Sequence, residues 1–236
     1  MSVLESLNLE TIREKIKTSN NPVVVTGAGI STLSGIPDYS SMEGLYIKDK
    51  YYNPRQILST TFFDHNRIEF INWFEKTFYK DYKENEIHKW TNEQSVLFPH
   101  LKIINQNVDG FLNQAINFHG NSKEWKCKDC EKIFEKEEVK ELEYVCNGCR
   151  GYLRPNIVLY NESINETNFK LAKKILLQAD FILILGTSLE VHPLSNLVLE
   201  RLHLDTYWID KYFPSNYWNN QDIKFYQADF KKLFNA

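Results

Sequence analysis

Four cysteines, Cys127, Cys130, Cys146 and Cys149, are the only ones in this chain of 236 residues. They form two Cys-x-x-Cys pairs separated by fifteen residues. Two residues between cysteines let one tight turn aim both sulfurs at a common point, and two such knuckles close a tetrahedral S₄ shell around Zn²⁺. Disulfides would suit a secreted domain, but the N-terminus, MSVLESLNLETIREKIK, has no apolar signal region. A thioredoxin-like redox pair needs one motif beside a strand–helix junction, not two in a polar hairpin. Four thiolates leave the metal no open position, so the zinc is structural and the chemistry lies elsewhere.

Three other groups of residues carry chemical potential. Val23-Val24-Val25-Thr26 runs into Gly27-Ala28-Gly29, a turn whose bare backbone N–H groups could hold dinucleotide phosphates. Thr32 stands where the third glycine of the full fingerprint would be, and a tight structural turn explains Gly-x-Gly equally well. Asp210, an acid suited to ribose hydroxyls, and the donor-rich turn Gly186-Thr187-Ser188 strengthen the nucleotide reading. Gln106-Asn107-Val108-Asp109 offers amides and a carboxylate that could read a carboxamide, or simply form an Asx turn. His119 could act as a general base near neutral pH, but it is one of six histidines and spacing alone does not select it.

These groups need a scaffold. Short apolar runs predict buried strands at Val23–Thr26, Leu101–Asn105, Ile157–Tyr160, Phe181–Leu185 and Thr206–Asp210, with a sixth at Ile223–Tyr226. Helical patterns fall at Glu10–Lys17, Glu166–Gln178 and Pro193–Leu202. Alternating helices and strands predict an α/β fold with a parallel sheet, whose ligands bind outside the carboxyl ends of the strands. The Gly-rich turns, the amide and acid groups, Tyr160-Asn161-Glu162 and Asp210 all fall at such ends. Residues 38–95, helical in pattern over Thr61–Lys76, and residues 121–156 break the alternation and are expected to form a smaller lobe. The net charge of −3 gives no general reason to bind nucleic acid or an anionic membrane. Reduced cysteines without a signal region predict a cytoplasmic protein.

The motifs together resemble the sirtuins, NAD-dependent protein deacylases. Gly27-Ala28-Gly29-Ile30-Ser31 through Ser34-Gly35-Ile36-Pro37-Asp38, Gln106-Asn107-Val108-Asp109-Gly110, His119-Gly120, the paired Cys-x-x-Cys, Leu153-Arg154-Pro155-Asn156-Ile157-Val158 and Gly186-Thr187-Ser188-Leu189 stand in the family's order from about residue 20 onward. The resemblance implies one catalytic domain over 1–236. Its Rossmann-like parallel sheet would span about 1–37, 96–120 and 157–236, with a smaller lobe made of a helical module (38–95) and a Cys₄ zinc module (121–156). It implies NAD as co-substrate and an acylated-lysine protein or peptide as partner, with no nucleic acid or membrane partner and a monomeric state.

Carried over by position, Gly27, Ala28, Gly29, Thr32, Gly186, Thr187, Ser188 and Asp210 would contact NAD phosphates and ribose. Gln106 and Asn107 would hold the nicotinamide ribose and a water. Ile36, Asp38, Val108 and Asp109 would form the nicotinamide pocket, with Tyr39 in place of the usual shielding Phe. His119 would be the base, with Asn107 and Asp109 beside it. Val158, Tyr160, Asn161 and Glu162 would bind the substrate peptide by strand addition. The implied reaction is attack of the acyl oxygen on the ribose C1′, then deprotonation of a ribose hydroxyl by His119, releasing nicotinamide and O-acyl-ADP-ribose.

Ser40 replaces a cofactor-binding Arg, for which Lys48, Lys50 or Arg55 could substitute. Asn161 replaces a Gly, and Asp210 replaces the common Asn. The lack of a Tyr-x-x-Arg pair near Glu69–Phe74 favours neutral acyl groups. Phe62, Phe63, Ile71 and Phe74 could line an acyl tunnel or belong to the core. His119 favours deacylation, whereas Ser40 leaves ADP-ribosyl transfer or NAD hydrolysis on the same scaffold open as the alternative. A binding module without turnover is a third reading, opposed by Asn107, Asp109 and His119.

Overall fold

The computed structural model describes residues 7–36, 53–212 and 224–235. Six strands form one wholly parallel sheet: β1 (Pro22–Thr26), β2 (Lys102–Asn105), β3 (Ala115–Asn117), β7 (Phe181–Leu185), β8 (Asp205–Asp210) and β9 (Lys224–Gln227). Their spatial order is β3-β2-β1-β7-β8-β9. Counting these six strands alone, this is the doubly wound order 3-2-1-4-5-6, whose direction of winding reverses between β1 and β7.

Both sheet faces are covered, which explains why the strands read as unbroken apolar runs. Val24, Ile103, Phe181, Leu183 and Leu185 pack on one face with Ile12 and Ile16 of the helix Leu9–Thr18. Val23, Val25, Ile104, Ile182 and Ile184 pack on the other with Ala172 and Leu176 of the helix Glu166–Gln178. Asn8 and Asn165 cap these two helices by accepting from first-turn N–H groups.

A second sheet, antiparallel, holds β4 (Gly120–Cys127), β5 (Ile133–Glu135) and β6 (Leu153–Ile157) in the order β5-β4-β6. It corrects the sequence reading at one strand. The run Ile157–Tyr160 is not a strand of the parallel sheet; the chain instead pairs over Leu153–Ile157 in the smaller one, and the short, half-buried β3 takes the edge position. Strong apolar content at Ile157 and Leu159 reflects burial in the small lobe, where both join its core.

That core is shared between two modules. Phe63, Phe70, Ile71, Trp73 and Phe74 pack against Trp125, Cys127, Phe134, Cys146 and Leu153. Phe63, Ile71 and Phe74 are therefore core residues, while Phe62 packs partly buried against them. The expected helix over Thr61–Lys76 is two helices, Thr60–His65 and Arg67–Phe78, divided at Asn66, whose φ of −133° leaves the helical range. The helix Glu86–Leu97, assigned from sequence in part to the smaller lobe, instead buries Ile87 and Trp90 in the core of the parallel sheet. Pro193–Leu202 shortens to Leu194–Leu199. Among the described residues no helix is long and apolar enough to cross a membrane.

Candidate active site

The reversal point between β1 and β7 gathers the two glycine turns. Here the sequence reading needs correction: the Gly27 and Gly29 N–H groups are not bare. They donate to Leu185 O (3.0 Å) and Gly186 O (2.8 Å), knitting one turn to the other. A Cβ on Gly29 would stand 2.8 Å from Gly186 Cα, and one on Gly27 would stand 2.4 Å from Thr187 Cβ. These glycines permit close approach of two turns, and Gly186 also needs its φ of +61°. Ala28 faces the adjoining cavity. The Thr32 hydroxyl bonds back to Gly29 O at 2.8 Å. Ser188 is half-buried beside Thr187. Asp210 ends β8 next to these turns, with Oδ1 accepting from the Lys211 N–H at 2.6 Å.

The Gln106–Asp109 loop follows β2 and is held from below by Asn105. This fully buried side chain accepts from Thr26 Oγ1 (2.9 Å) and from the Asn107 N–H (3.0 Å), and donates to Asn107 O (3.1 Å). Asn107 donates both amide hydrogens, to Gly27 O and to Ser31 Oγ, each at 2.9 Å. Asp109 Oδ2 accepts from Ser31 Oγ at 2.6 Å, and its Oδ1 accepts from the Phe111 N–H at 3.0 Å.

Ser31, 2 % exposed, is thus the hub of the loop. Its last acceptor position faces His88 Nε2 at 3.3 Å. Nδ1 of His88 accepts from the Asn85 N–H at 3.2 Å, which leaves the ring proton on Nε2, pointing at Ser31. Burial keeps His88 neutral by lowering its pKa, against the opposing pull of the Asp109 carboxylate. Each polar side-chain hydrogen of Asn105, Asn107, Ser31 and His88 has an acceptor. Ser31, Asn107, Val108, Asp109, Ala28 and Ile36 line a cavity that opens to solvent.

His119 immediately precedes β4 and is bonded to the start of the Gln106–Asp109 loop. Its Nδ1 lies 2.9 Å from Gln106 O. A carbonyl only accepts, so Nδ1 carries the proton and Nε2 presents a lone pair. Burial lowers the His119 pKa below the ordinary value, and the bond to Gln106 opposes this only in part. A neutral imidazole with a fixed tautomer is the form a general base needs. Gln106 is itself anchored, its Oε1 accepting from Thr187 Oγ1 at 2.7 Å.

The sequence pattern of the Sir2 family matches residues 27–193. This chain belongs to the Sir2 family. An NAD-dependent protein deacetylase of Clostridium tetani is 36 % identical over 200 residues, covering 80 % of this chain and 81 % of its own. One of Staphylococcus epidermidis is 35 % identical over 204 residues, covering 82 % of each chain. Among solved structures, a Sir2 variant with a deacetylated p53 peptide and 3′-O-acetyl ADP ribose superposes with a TM-score of 0.81 at 25 % identity, over 97 % of this chain and 96 % of that one.

The sirtuin's four cysteines converge as expected. Their sulfurs lie within 4.8 Å of one another, with Cys127–Cys149 at 3.4 Å and Cys130–Cys146 at 3.7 Å. A tetrahedron of Zn–S bonds of about 2.3 Å has edges of about 3.8 Å, so the set fits a Zn²⁺ ion. Both knuckles close alike. Glu131 N donates to Cys127 O and Arg150 N to Cys146 O, each at 3.0 Å, and both residues adopt positive φ. The Gly148 and Gly151 N–H groups donate to Cys146 and Cys149 Sγ, the pattern that stabilises thiolates.

The predicted peptide-binding stretch is largely engaged within the sirtuin itself. Val158 N donates to His119 O, Tyr160 N to Leu58 O and Leu159 N to Glu162 Oε2, each at 2.8 Å. Glu162 accepts from both terminal nitrogens of the Arg154 guanidinium, at 2.5 and 2.8 Å. Burial would raise its pKa, but Arg154 and the Leu159 N–H hold it below the usual range. Glu162 therefore folds the loop rather than offering a carboxylate to a peptide, and the N–H groups of Val158, Leu159 and Tyr160 already have partners within the chain. Asn161 has φ of +71°, the left-handed conformation expected where a Gly is replaced by Asn.

Asp38, Tyr39 and Ser40, with Lys48 and Lys50, lie outside the described residues; Arg55 is exposed. The site residues that sequence reasoning passed over are Asn105, Ser31 and His88. Ser31 stood inside the first motif without a role. His88 could have been singled out by Asn85 three residues earlier, an N-cap position that fixes which face the imidazole occupies.

Proposed function

We propose that this sirtuin is an NAD-dependent protein-lysine deacylase acting on acetyl or another neutral acyl group, with nicotinamide and O-acyl-ADP-ribose as co-products. The observation that carries the reading is His119, neutral, with its tautomer locked by Gln106 O and Nε2 left as acceptor beside the Asn107–Asp109 loop. NAD supplies a ribose carbon that accepts the acyl oxygen, and the leaving nicotinamide. The residues present fit it: two glycine turns meet at the point of sheet reversal, and the cavity lined by Asn107 and Asp109 adjoins them.

Each residue then has a task. Asp109, oriented by Ser31, presents a carboxylate edge suited to a carboxamide, while Asn107 is fixed by Gly27 and Ser31 so that its carbonyl oxygen faces a ribose or water. His119 Nε2 takes a proton from a ribose hydroxyl, which frees that oxygen to attack the acyl carbon. Val108 and Ile36 exclude water, which strengthens each of these polar contacts. Zinc, held by Cys127, Cys130, Cys146 and Cys149, braces the smaller lobe and takes no part in proton transfer. The cleft between the parallel sheet and the lobe of residues 53–85 and 121–157 receives both substrates.

The test is mass spectrometry of products after incubation with NAD, with and without an acetyl-lysine peptide. Equal amounts of deacetylated peptide, nicotinamide and O-acetyl-ADP-ribose are expected. Free ADP-ribose made without peptide, or ADP-ribose attached to protein, would replace the reading.

A further inference from the structure

The cavity beside Asp109 has an outer wall that deacylation does not use. It is built from the end of the helix Arg67–Phe78 and from β4 and the turn after β5, and presents Phe78, Tyr79, Tyr82, Lys123 and Lys136. With Lys80, three ammonium groups line the cavity against one carboxylate, Asp109, among the described residues. That carboxylate accepts from Ser31 and Phe111, one bond to each oxygen, and its remaining lone pairs suit a carboxamide N–H rather than a second anion.

The lysines are poorly neutralised. Lys123 Nζ is half-buried and donates to an uncharged acceptor, Gly110 O, at 2.6 Å, while lying 4.9 Å from the Phe111 ring centroid. Lys123 forms no ion pair among the described residues. Lys136 has Glu137 at 3.7 Å, but that carboxylate is 69 % exposed and solvent screens the pair. Its ammonium sits 5.3 Å from the Tyr79 ring centroid. The wall thus combines aromatic faces for a flat ring with ammonium N–H groups that an anionic oxygen would satisfy better than a carbonyl does.

We propose that this wall is a second binding subsite, taking a small aromatic carboxylate with its ring between Phe78, Tyr79 and Tyr82 and its carboxylate on Lys123 and Lys136. The subsite goes beyond the deacylase reading, because it needs neither NAD nor His119. It predicts that the cavity distinguishes two ligands of the same shape by charge, the carboxylate through the lysines and the carboxamide through Asp109.

Calorimetric titration without NAD tests this, using sodium pyridine-3-carboxylate and pyridine-3-carboxamide as probes on wild type, K123M/K136M and D109N. The carboxylate is expected to bind wild type and to lose about tenfold in affinity in K123M/K136M, the size of one charge-assisted contact. The carboxamide should stay within about twofold there and weaken in D109N instead. No carboxylate binding to wild type, or equal losses of both probes in K123M/K136M, would overturn the subsite. K123M and K136M singly, each checked by thermal unfolding, keep the test decisive if the double variant does not fold. Lysine-dependent binding in a chain that makes no deacylation products would sink the functional reading and leave the subsite standing.

Discussion

At the scale of single residues, the site is built by hydrogen-bond accounting. Ser31 has one donor and two acceptor positions, and the structure fills all three with Asp109, Asn107 and His88. His119 is set by one bond, from Nδ1–H to Gln106 O, which decides that Nε2 is the basic nitrogen. Replacing His119 with Ala should abolish most deacylation while leaving folding and NAD binding intact; near wild-type turnover would assign the base elsewhere. The pH profile gives a second check. Burial disfavours imidazolium, so the folded pKa lies below the ordinary value of about 6.5 and the base stays neutral at pH 7. The acid limb of kcat/KM should therefore inflect below about pH 6.5. An inflection above that value would mean that His119 gains a charged partner absent from this geometry.

Elements owe their shapes to a few backbone demands. The two zinc knuckles end in positive φ at Glu131 and Arg150, and two of the sulfurs that they present, Cys127 and Cys146, are buried in the small-lobe core. Metal binding and folding of this lobe are thus one equilibrium. Cys127→Ser should release zinc and unfold the lobe, seen as loss of metal by elemental analysis and an earlier thermal transition. A zinc-free wild type of full stability would refute the site. The loop after β6 makes a different demand. Asn161→Gly should be tolerated, whereas Asn161→Val should cost about 1–2 kcal/mol in denaturant unfolding, because a β-branched side chain clashes at φ of +71°. Equal stabilities of the two variants would show that the loop relaxes to another conformation.

Across the whole molecule, the two lobes are joined by a short chain of bonds. Tyr79 Oη accepts from the buried Trp125 Nε1–H at 2.6 Å and donates to Ser122 O at 2.8 Å; Ser122 N in turn donates to Val108 O at 2.7 Å. The helical module, β4 and the Gln106–Asp109 loop are therefore mechanically continuous. Tyr79→Phe orphans both Ser122 O and the Trp125 N–H, at a cost of about 1–3 kcal/mol, or a Tm lower by roughly 3–10 °C. It should also weaken NAD binding, since Val108 loses its support; calorimetry showing unchanged Tm and affinity would dismiss the coupling. The sequence by itself determined the strands covered on both faces, because Val23–Thr26 and Phe181–Leu185 are apolar on both sides of the pleat, and it determined the zinc ligands, because Cys-x-x-Cys spacing is local geometry. Asn161 was legible for the same reason, as a backbone conformation with few tolerant residue types. Only the tertiary structure decided that Leu153–Ile157 pairs in the smaller sheet, that Glu86–Leu97 packs on the larger one, and that Glu162 answers Arg154. It alone brought His88 to Ser31, 57 residues apart, and committed the Gly27 and Gly29 N–H groups to the facing turn. Apolar pattern says that a segment is buried but not against which sheet, and a polar side chain's partner is set by chain crossings that no local spacing encodes.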